Sequence, residues 1–386
     1  MNERTVLISG AGIAGPTLAY WLARHGFRPT VVERAQGLRS SGSPVDVRGP
    51  AVAVAERMGI MPRLRAAGTK VTGLSFVNDS GRQVGRVNMR AMQTASGSRE
   101  VELPRFDLAN IIYEAARDEA EFLFDDSIAT LNQDAGGVDV TFDRAAPRRF
   151  DLVIGTDGLH SRTRRLAYGE EGQFVRHMGV WVATMPIDDT TLDPHKVLLH
   201  NSPGKAVSLH PSRGGALAAF MFRGPRDPGF DYRDTAQHKQ MLIEAYAGGS
   251  WRVPELMDRV READDLYFDS VSQVRLDRWS TGRVALLGDA ASCVSLFGDG
   301  STLAMAGAET LAEALAATPA DHETAFGRYE AEHRLLVEPK QRNVEQAASM
   351  LIPVSRFGIT MRNAATRLWP LAAGAQRIAR ALRPTA

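Results

Sequence analysis

Three observations predict an α/β fold: a Rossmann-type nucleotide unit, a second domain built on an antiparallel sheet, and C-terminal helices. A glycine-rich turn sits between a strand pattern and a helix pattern near the N-terminus, two later strands each end in an aspartate, and the middle of the chain alternates with period two. Thr5 to Ser9 is a short apolar run, Ala14 to Arg24 reads as a helix with small residues toward the turn, and Thr30 to Glu33 is the next strand. The GAGIAG between the first two has the spacing a dinucleotide requires. Gly10 permits the tight turn, Gly12 lets backbone approach a pyrophosphate, and Gly15 lets helix pack on strand. The helix start at Ala14 offers unpaired N–H groups to negative charge, and Glu33 ends the second strand where a carboxylate accepts hydrogen bonds from an adenosine ribose. At this point both NAD and FAD fit.

The bulk composition narrows the function class. At 386 residues and 44% hydrophobic content the chain can bury a sizeable core, and the net charge of +1 makes nucleic acid an unexpected partner. Arginine dominates the basic residues, with lysine only at Lys70, Lys196, Lys205, Lys239 and Lys340. One cysteine, Cys293, allows no internal disulfide, so a reducing, cytoplasmic setting is expected. No long uncharged apolar run suggests a membrane span, and the N-terminus enters a strand directly.

Two further stretches carry the nucleotide reading forward. In RRFDLVIGTDGLHSRTRR, Asp151 to Gly155 is an apolar strand, followed by a turn and a helix start at Ser161. In GRVALLGDAASCVSLFGDGSTLAMAGAETLAEALA, Arg283 to Leu287 is a strand ending at Gly288-Asp289, followed by a glycine-containing turn and a helix from about Ser301. Both aspartates fall at the carboxyl end of a strand, the usual ligand edge of an open α/β sheet.

GAGIAG with Glu33-Arg34, then GTDGLHSRTR, then GDAA with a downstream GxG, in this order, resembles the family of single-component FAD-dependent aromatic hydroxylases, in particular its tetracycline-inactivating and polyketide-tailoring members. The resemblance implies a Rossmann-type FAD-binding domain (GR2-like) with an antiparallel-sheet substrate domain and C-terminal helices. It assigns Gly10, Gly12, Ala14, Gly15, Glu33 and Arg34 to the ADP half of FAD, and Asp289 to the ribityl hydroxyls. It assigns Asp157 to the pyrophosphate side and to productive NAD(P)H use, and Arg105, in LPRFDLANII, to a helix lying against the flavin. The helix after Gly300, beginning at Ser301, is expected to point its N–H groups at the pyrimidine edge of the ring. The chain departs from the family at Ser292, where histidine usually stands, and at Leu296 or Phe297, where proline is expected.

Other chemistries find no support. His195, His200 and His210 match no zinc spacing, no GxSxG elbow or GxxxxGK[ST] loop occurs, and no base is placed beside Cys293, which reads as a buried, unreactive thiol. A second GxGxxG for a nicotinamide domain is missing, so NADPH or NADH is expected as a transient co-substrate.

Strand-like alternation at Val71 to Asn78, Arg82 to Asn88, Val180 to Met185, Lys196 to His200, Ala206 to His210 and Ala216 to Arg223, with a helix from about Ala236 to Ala247, suits a substrate domain. Met185, His210, Phe220, Phe222 and Leu296 are its candidate pocket residues, with Met221 on the opposite face from the two phenylalanines. The expected division is an FAD-binding domain over 1–70, 101–176 and 268–330, a substrate domain over 71–100 and 177–267, and C-terminal bridging helices over 331–386. Pro339, Pro353 and Pro370 should each kink or end a helix. From Leu351 to Ala386 there is no acidic residue, and the arginines there are read as the solvated side of a helix.

The resemblance implies a monooxygenase. NAD(P)H reduces FAD, O2 adds to give a flavin C4a-hydroperoxide, and the hydroxyl passes to an electron-rich aromatic or enolic small molecule, a polycyclic natural product being the implied class. A flavin dehydrogenase or reductase without oxygen insertion is the alternative from the same scaffold, and a non-catalytic flavin-binding protein is a third. Oligomeric state is not indicated.

Overall fold

The computed structural model describes residues 4–38, 44–91, 99–212, 214–294, 299–342 and 344–366. It divides into two compact units that interleave along the chain, the first taking Met1–Thr69, Ser98–Met178 and Val271–Val344, the second Lys70–Gly97, Gly179–Ser270 and Glu345–Ala386.

The first unit is built on a six-stranded sheet in the order Ser280–Thr281, Val284–Leu286, Leu152–Gly155, Thr5–Ser9, Arg28–Glu33, Glu121–Phe124. All its pairings are parallel except that of the short edge strand Ser280–Thr281. Parallel strands are covered on both faces, which is why Val6, Leu7, Ile8, Leu152, Val153 and Ile154 form unbroken apolar runs with no exposure at all. Asp151 fixes the register at one end, its Oδ2 accepting from the Thr5 N–H at 2.8 Å and the Thr5 hydroxyl at 2.9 Å. A three-stranded antiparallel sheet, Ile128–Asp134, Gly137–Phe142 and Arg148–Phe150, packs Val138, Val140, Phe142 and Phe150 against Leu7, Val32, Val153 and Val284. A short ribbon pairs Val45–Val47 with Val101–Leu103, placing Asp46 opposite Glu102.

The sheet of the second unit has seven strands in the order Tyr267–Val274, Val175–Ile187, Gly215–Arg223, Lys205–Ser212, Lys196–Ser202, Gly73–Val77, Gln83–Asn88. It is not wholly antiparallel as expected: Lys196–Ser202 runs parallel to Gly73–Val77, because the two strands come from separate passages of the chain and no hairpin ties their directions. One face is covered by the helices Thr235–Ala245 and Val253–Glu262.

The expected separate C-terminal segment is divided between the units: the helix His322–Arg342 belongs to the first, and the chain from Glu345 to the second. Pro339 lies inside that helix, which continues to Arg342, so of the two expected effects it does not end the helix. The carbonyl that proline leaves without a donor is that of Leu335, a residue 76% exposed, so water can satisfy it. Pro353 does follow a helix end, at Leu351, and Pro370 lies outside the described residues.

Candidate functional site

The glycine turn of the first unit has the geometry its spacing implies. Gly10 has φ +109°, its N–H donates to the Val32 carbonyl at 2.7 Å, and a Cβ there would stand 2.8 Å from the Thr156 carbonyl oxygen. A Cβ on Gly15 would stand 2.0 Å from the Gly10 carbonyl oxygen, so the helix Ala14–Arg24 packs directly on the turn. Gly12 is different: a Cβ there would meet nothing within 4 Å. One glycine of the three therefore faces open space, forming a cradle beside a helix start that has no side-chain cap.

Glu33 is tied to this turn by both oxygens. Oε2 accepts from the Ala11 N–H at 2.8 Å and Oε1 from the Ala35 N–H at 2.9 Å. Each oxygen retains a second lone pair, so the carboxylate is oriented without being saturated. Arg34 follows it at the exposed surface.

Asp157 is a fastener of the second loop. Its Oδ1 accepts from the Ser161 hydroxyl at 2.5 Å, and its Oδ2 from the Thr163 N–H at 2.9 Å and the Thr163 hydroxyl at 3.0 Å. Ser161 in turn caps the helix Arg162–Tyr168, accepting from the Arg164 N–H. Thr156 closes the contact with the glycine turn, its hydroxyl donating to the carbonyls of Ser9 (2.8 Å) and Gly10 (2.9 Å).

The third motif meets the first two through small residues. Gly288 has φ +65°, and a Cβ there would lie 3.3 Å from the Ala14 Cβ and 3.9 Å from that of Ala304. Asp289 follows at the start of the short helix Asp289–Ser292, and its carboxylate lies 3.6 Å from where a Cβ of Gly300 would be. The N-terminus of the helix Asp299–Ala317, with Gly300 and Ser301, is thus beside Asp289. Ser292, in the family's histidine position, is buried with its hydroxyl turned toward the Gly288 carbonyl at 3.5 Å. Cys293 is buried, and Leu296, Phe297 and Gly298 lie outside the described residues.

Three residues without an assigned role in the motifs belong here. Asp46 receives the Ser301 hydroxyl on its backbone carbonyl at 2.7 Å, and burial pushes its carboxyl pKa up against the opposing pull of Arg48. Arg48 donates to Asp299 Oδ1 at 2.8 Å, and Lys340 reaches the same oxygen at 3.2 Å. Arg164 is fully buried and donates to the Ala290 carbonyl at 2.9 Å, binding the second motif to the third; burial lowers its pKa, opposed chiefly by Glu171. Only Arg164 had a visible cue, as part of the HSRTRR run. Arg105 opens the helix Arg105–Ala116 behind Pro104, half-buried and without a salt bridge among the described residues.

In the second unit the candidate pocket residues separate. Met185, Phe220 and Phe222 are buried among Leu242, Tyr246, Leu256 and Phe268 on the helix-covered face, so they are core and not pocket, a correction to the sequence reading. Alternation had put the two phenylalanines on one face, and that face is the one the helices cover. His210 lies on the other, where the register aligns Ser208 with Ala219 and Ala219 with Thr184. His210 Nε2 and the Ser208 hydroxyl are 3.0 Å apart, and burial pushes the imidazole down to about 4. The Thr184 hydroxyl is buried with no partner among the described residues. No described helix is long and apolar enough to cross a membrane.

Comparison with known proteins agrees with this geometry. A family model described as an FAD binding domain matches residues 3–342. An uncharacterized protein of Mycobacterium tuberculosis is 42% identical over 88% of this chain and 92% of its own length. A flavin-dependent monooxygenase from an unknown prokaryotic organism is 36% identical over 88% of each chain. The crystal structure of the tetracycline destructase Tet(55) superposes with a TM-score of 0.82 at 33% identity, covering 94% of this chain and 95% of that one. The uncapped helix start beside Gly12, the oriented Glu33 and the Asp289–Gly300 junction suit the nucleotide such proteins carry, and the chain belongs to the FAD-dependent aromatic hydroxylase family as a flavin-dependent monooxygenase.

Proposed function

We propose that this protein consumes NADPH or NADH and O2, in the cytoplasm, to hydroxylate an electron-rich aromatic or enolic small molecule, with polycyclic phenolic natural products as the substrate class. The observation that carries the substrate class is the likeness to a tetracycline destructase along almost the whole of both chains. When bound, FAD supplies the redox chemistry: it is reduced, activates O2 and delivers one oxygen atom.

The chain's own residues bind and orient. Gly10, Gly12, Ala14, Gly15, Glu33 and Arg34 hold the ADP half, with the pyrophosphate beside the uncapped start of the helix Ala14–Arg24. Asp157 keeps the Thr156–Thr163 loop in shape through four side-chain and backbone donors. Asp289 holds ribityl hydroxyls, and the helix start at Gly300 and Ser301 places N–H groups where reduced flavin concentrates negative charge. Arg105, at the start of the helix Arg105–Ala116, adds a cation toward the flavin, as in the family it resembles. In the second unit, Thr184, Ser208 and His210 form the substrate face. Burial holds the His210 imidazole neutral near pH 7, so it offers substrate hydroxyls a hydrogen-bond partner without a charge.

The test follows NADPH and NADH oxidation by the FAD-loaded protein in air, with tetracycline and a panel of polycyclic phenols, and weighs the products. Oxidation that quickens with one phenol and yields a product heavier by one oxygen atom supports the proposal. Oxidation unaffected by every compound, with no oxygenated product, defeats it.

A further inference from the structure

The second unit holds a cavity of about 720 Å³ on the helix-covered side of its sheet, lined entirely by residues of that unit. That volume lies in the range of small-molecule pockets, roughly 300–1,000 Å³. It is distinct from the face bearing Thr184, Ser208 and His210, because His200 and Val207 on its wall pair in register and Val207 belongs to the core cluster of the opposite face.

Its charge is unbalanced. Lys205 and Arg356 both line it, and neither forms a salt bridge among the described residues. The Lys205 ammonium rests 6.0 Å from the ring centre of Tyr246, against an aromatic wall. Asp79 is the sole carboxylate among the lining residues and is already engaged, accepting from the Ser250 hydroxyl at 2.6 Å and bonded to His200 Nε2 at 2.9 Å. His200 is itself 3% exposed and stacked on Trp251 at 5.5 Å between ring centres, so this anchor is rigid. No Asp or Glu occurs in the sequence between Leu351 and Ala386. Val77, Val207 and Ile359 supply an apolar wall.

Two cations with no salt bridge among the described residues, set against the one carboxylate of Asp79 and an apolar wall, leave a net positive charge that selects a ligand with one anionic end and one apolar end. We propose that this cavity is a second small-molecule site, separate from the flavin and substrate sites, that takes a carboxylate-bearing aromatic compound with its anion at Lys205 and Arg356. The inference does not depend on the identity of the oxidised substrate.

The probe is 4-fluorobenzoate, which has no phenol to hydroxylate, titrated into the FAD-loaded full-length protein and followed by fluorine NMR. Saturable binding is expected, weakened about tenfold or more by Lys205→Gln and by Arg356→Gln, absent for neutral 4-fluorobenzamide, and unchanged by His210→Leu. Both substituted side chains lie away from the core, and an unchanged melting temperature confirms that each variant is folded. No saturable binding, equal binding of the amide, or loss of binding in His210→Leu with retention in the two cavity variants overturns the proposal.

Discussion

Gly12 and Gly15 occupy the same turn, yet alanine at each should fail differently. At Gly15 the new methyl would stand 2.0 Å from the Gly10 carbonyl oxygen and 2.9 Å from the Thr156 hydroxyl, which is itself held by the Ser9 and Gly10 carbonyls. Overpacking of this kind costs about 1–3 kcal/mol and more when backbone must move, which lowers the melting temperature of the apoprotein by roughly 2–10 °C and weakens FAD binding as the turn distorts. At Gly12 the methyl meets nothing within 4 Å, so the apoprotein should melt within about a degree of the wild type. The methyl instead occupies space assigned to the pyrophosphate, and displacement by one methyl at about 1–3 kcal/mol weakens FAD by about 5- to 150-fold. The assay pairs thermal melting of the apoprotein with FAD titration followed by flavin fluorescence. Gly12→Ala protein that binds FAD as tightly as the wild type would refute the placement of the nucleotide at this turn.

Phe220→Ala should destabilise the second unit by about 3–5 kcal/mol, visible in chemical denaturation, while Ser208→Ala, which removes one hydrogen bond to His210, costs only about 1 kcal/mol and changes the apparent KM. Asp157→Ala leaves the donors of Ser161 and Thr163 unpaired and should cost about 1–3 kcal/mol, read as a lower melting temperature that excess FAD only partly restores. His333 is buried with both ring nitrogens unpartnered among the described residues, and burial pushes its pKa down to about 4. Between its unfolded value near 6.5 and about 4 the unfolded chain binds more protons, so stability falls as pH drops through that window; His333→Leu should flatten this part of the melting-temperature profile.

The parts of the site legible in sequence are those where backbone geometry dictates residue type. Gly10 needs a positive φ and Gly15 a missing side chain, so both announce themselves without tertiary information. Asp46 could not be read this way. Its place depends on the ribbon joining Val45–Val47 to Val101–Leu103 and on a hydrogen bond from Ser301, pairings between distant stretches that leave no local periodicity. Phe220 and Phe222 illustrate a different boundary. Alternation says which residues share a face, but the covering of that face is decided by the helices Thr235–Ala245 and Val253–Glu262. The hairpin Ile128–Asp134 with Gly137–Phe142 does carry a period-two signal in Val138, Val140 and Phe142, which a reading led by nucleotide motifs passes over.

The order of strands in the parallel sheet has a consequence for how the protein is made. Thr5–Ser9, at the centre of the sheet, pairs with Leu152–Gly155, which pairs in turn with Val284–Leu286. A nascent chain emerging from the ribosome at about 5–20 residues per second therefore presents its glycine turn tens of seconds before the strand leading to Asp289 exists. Arg28–Glu33 can pair with the central strand early, but its other edge stays open until Leu152–Gly155 emerges, and the edge of that strand stays open until Val284–Leu286 is made, so an unpaired apolar edge is exposed to whatever else in the cell binds one. Flavin capture should accordingly be a late, post-synthetic event, and supply of flavin during expression should set the yield of soluble protein as much as its colour.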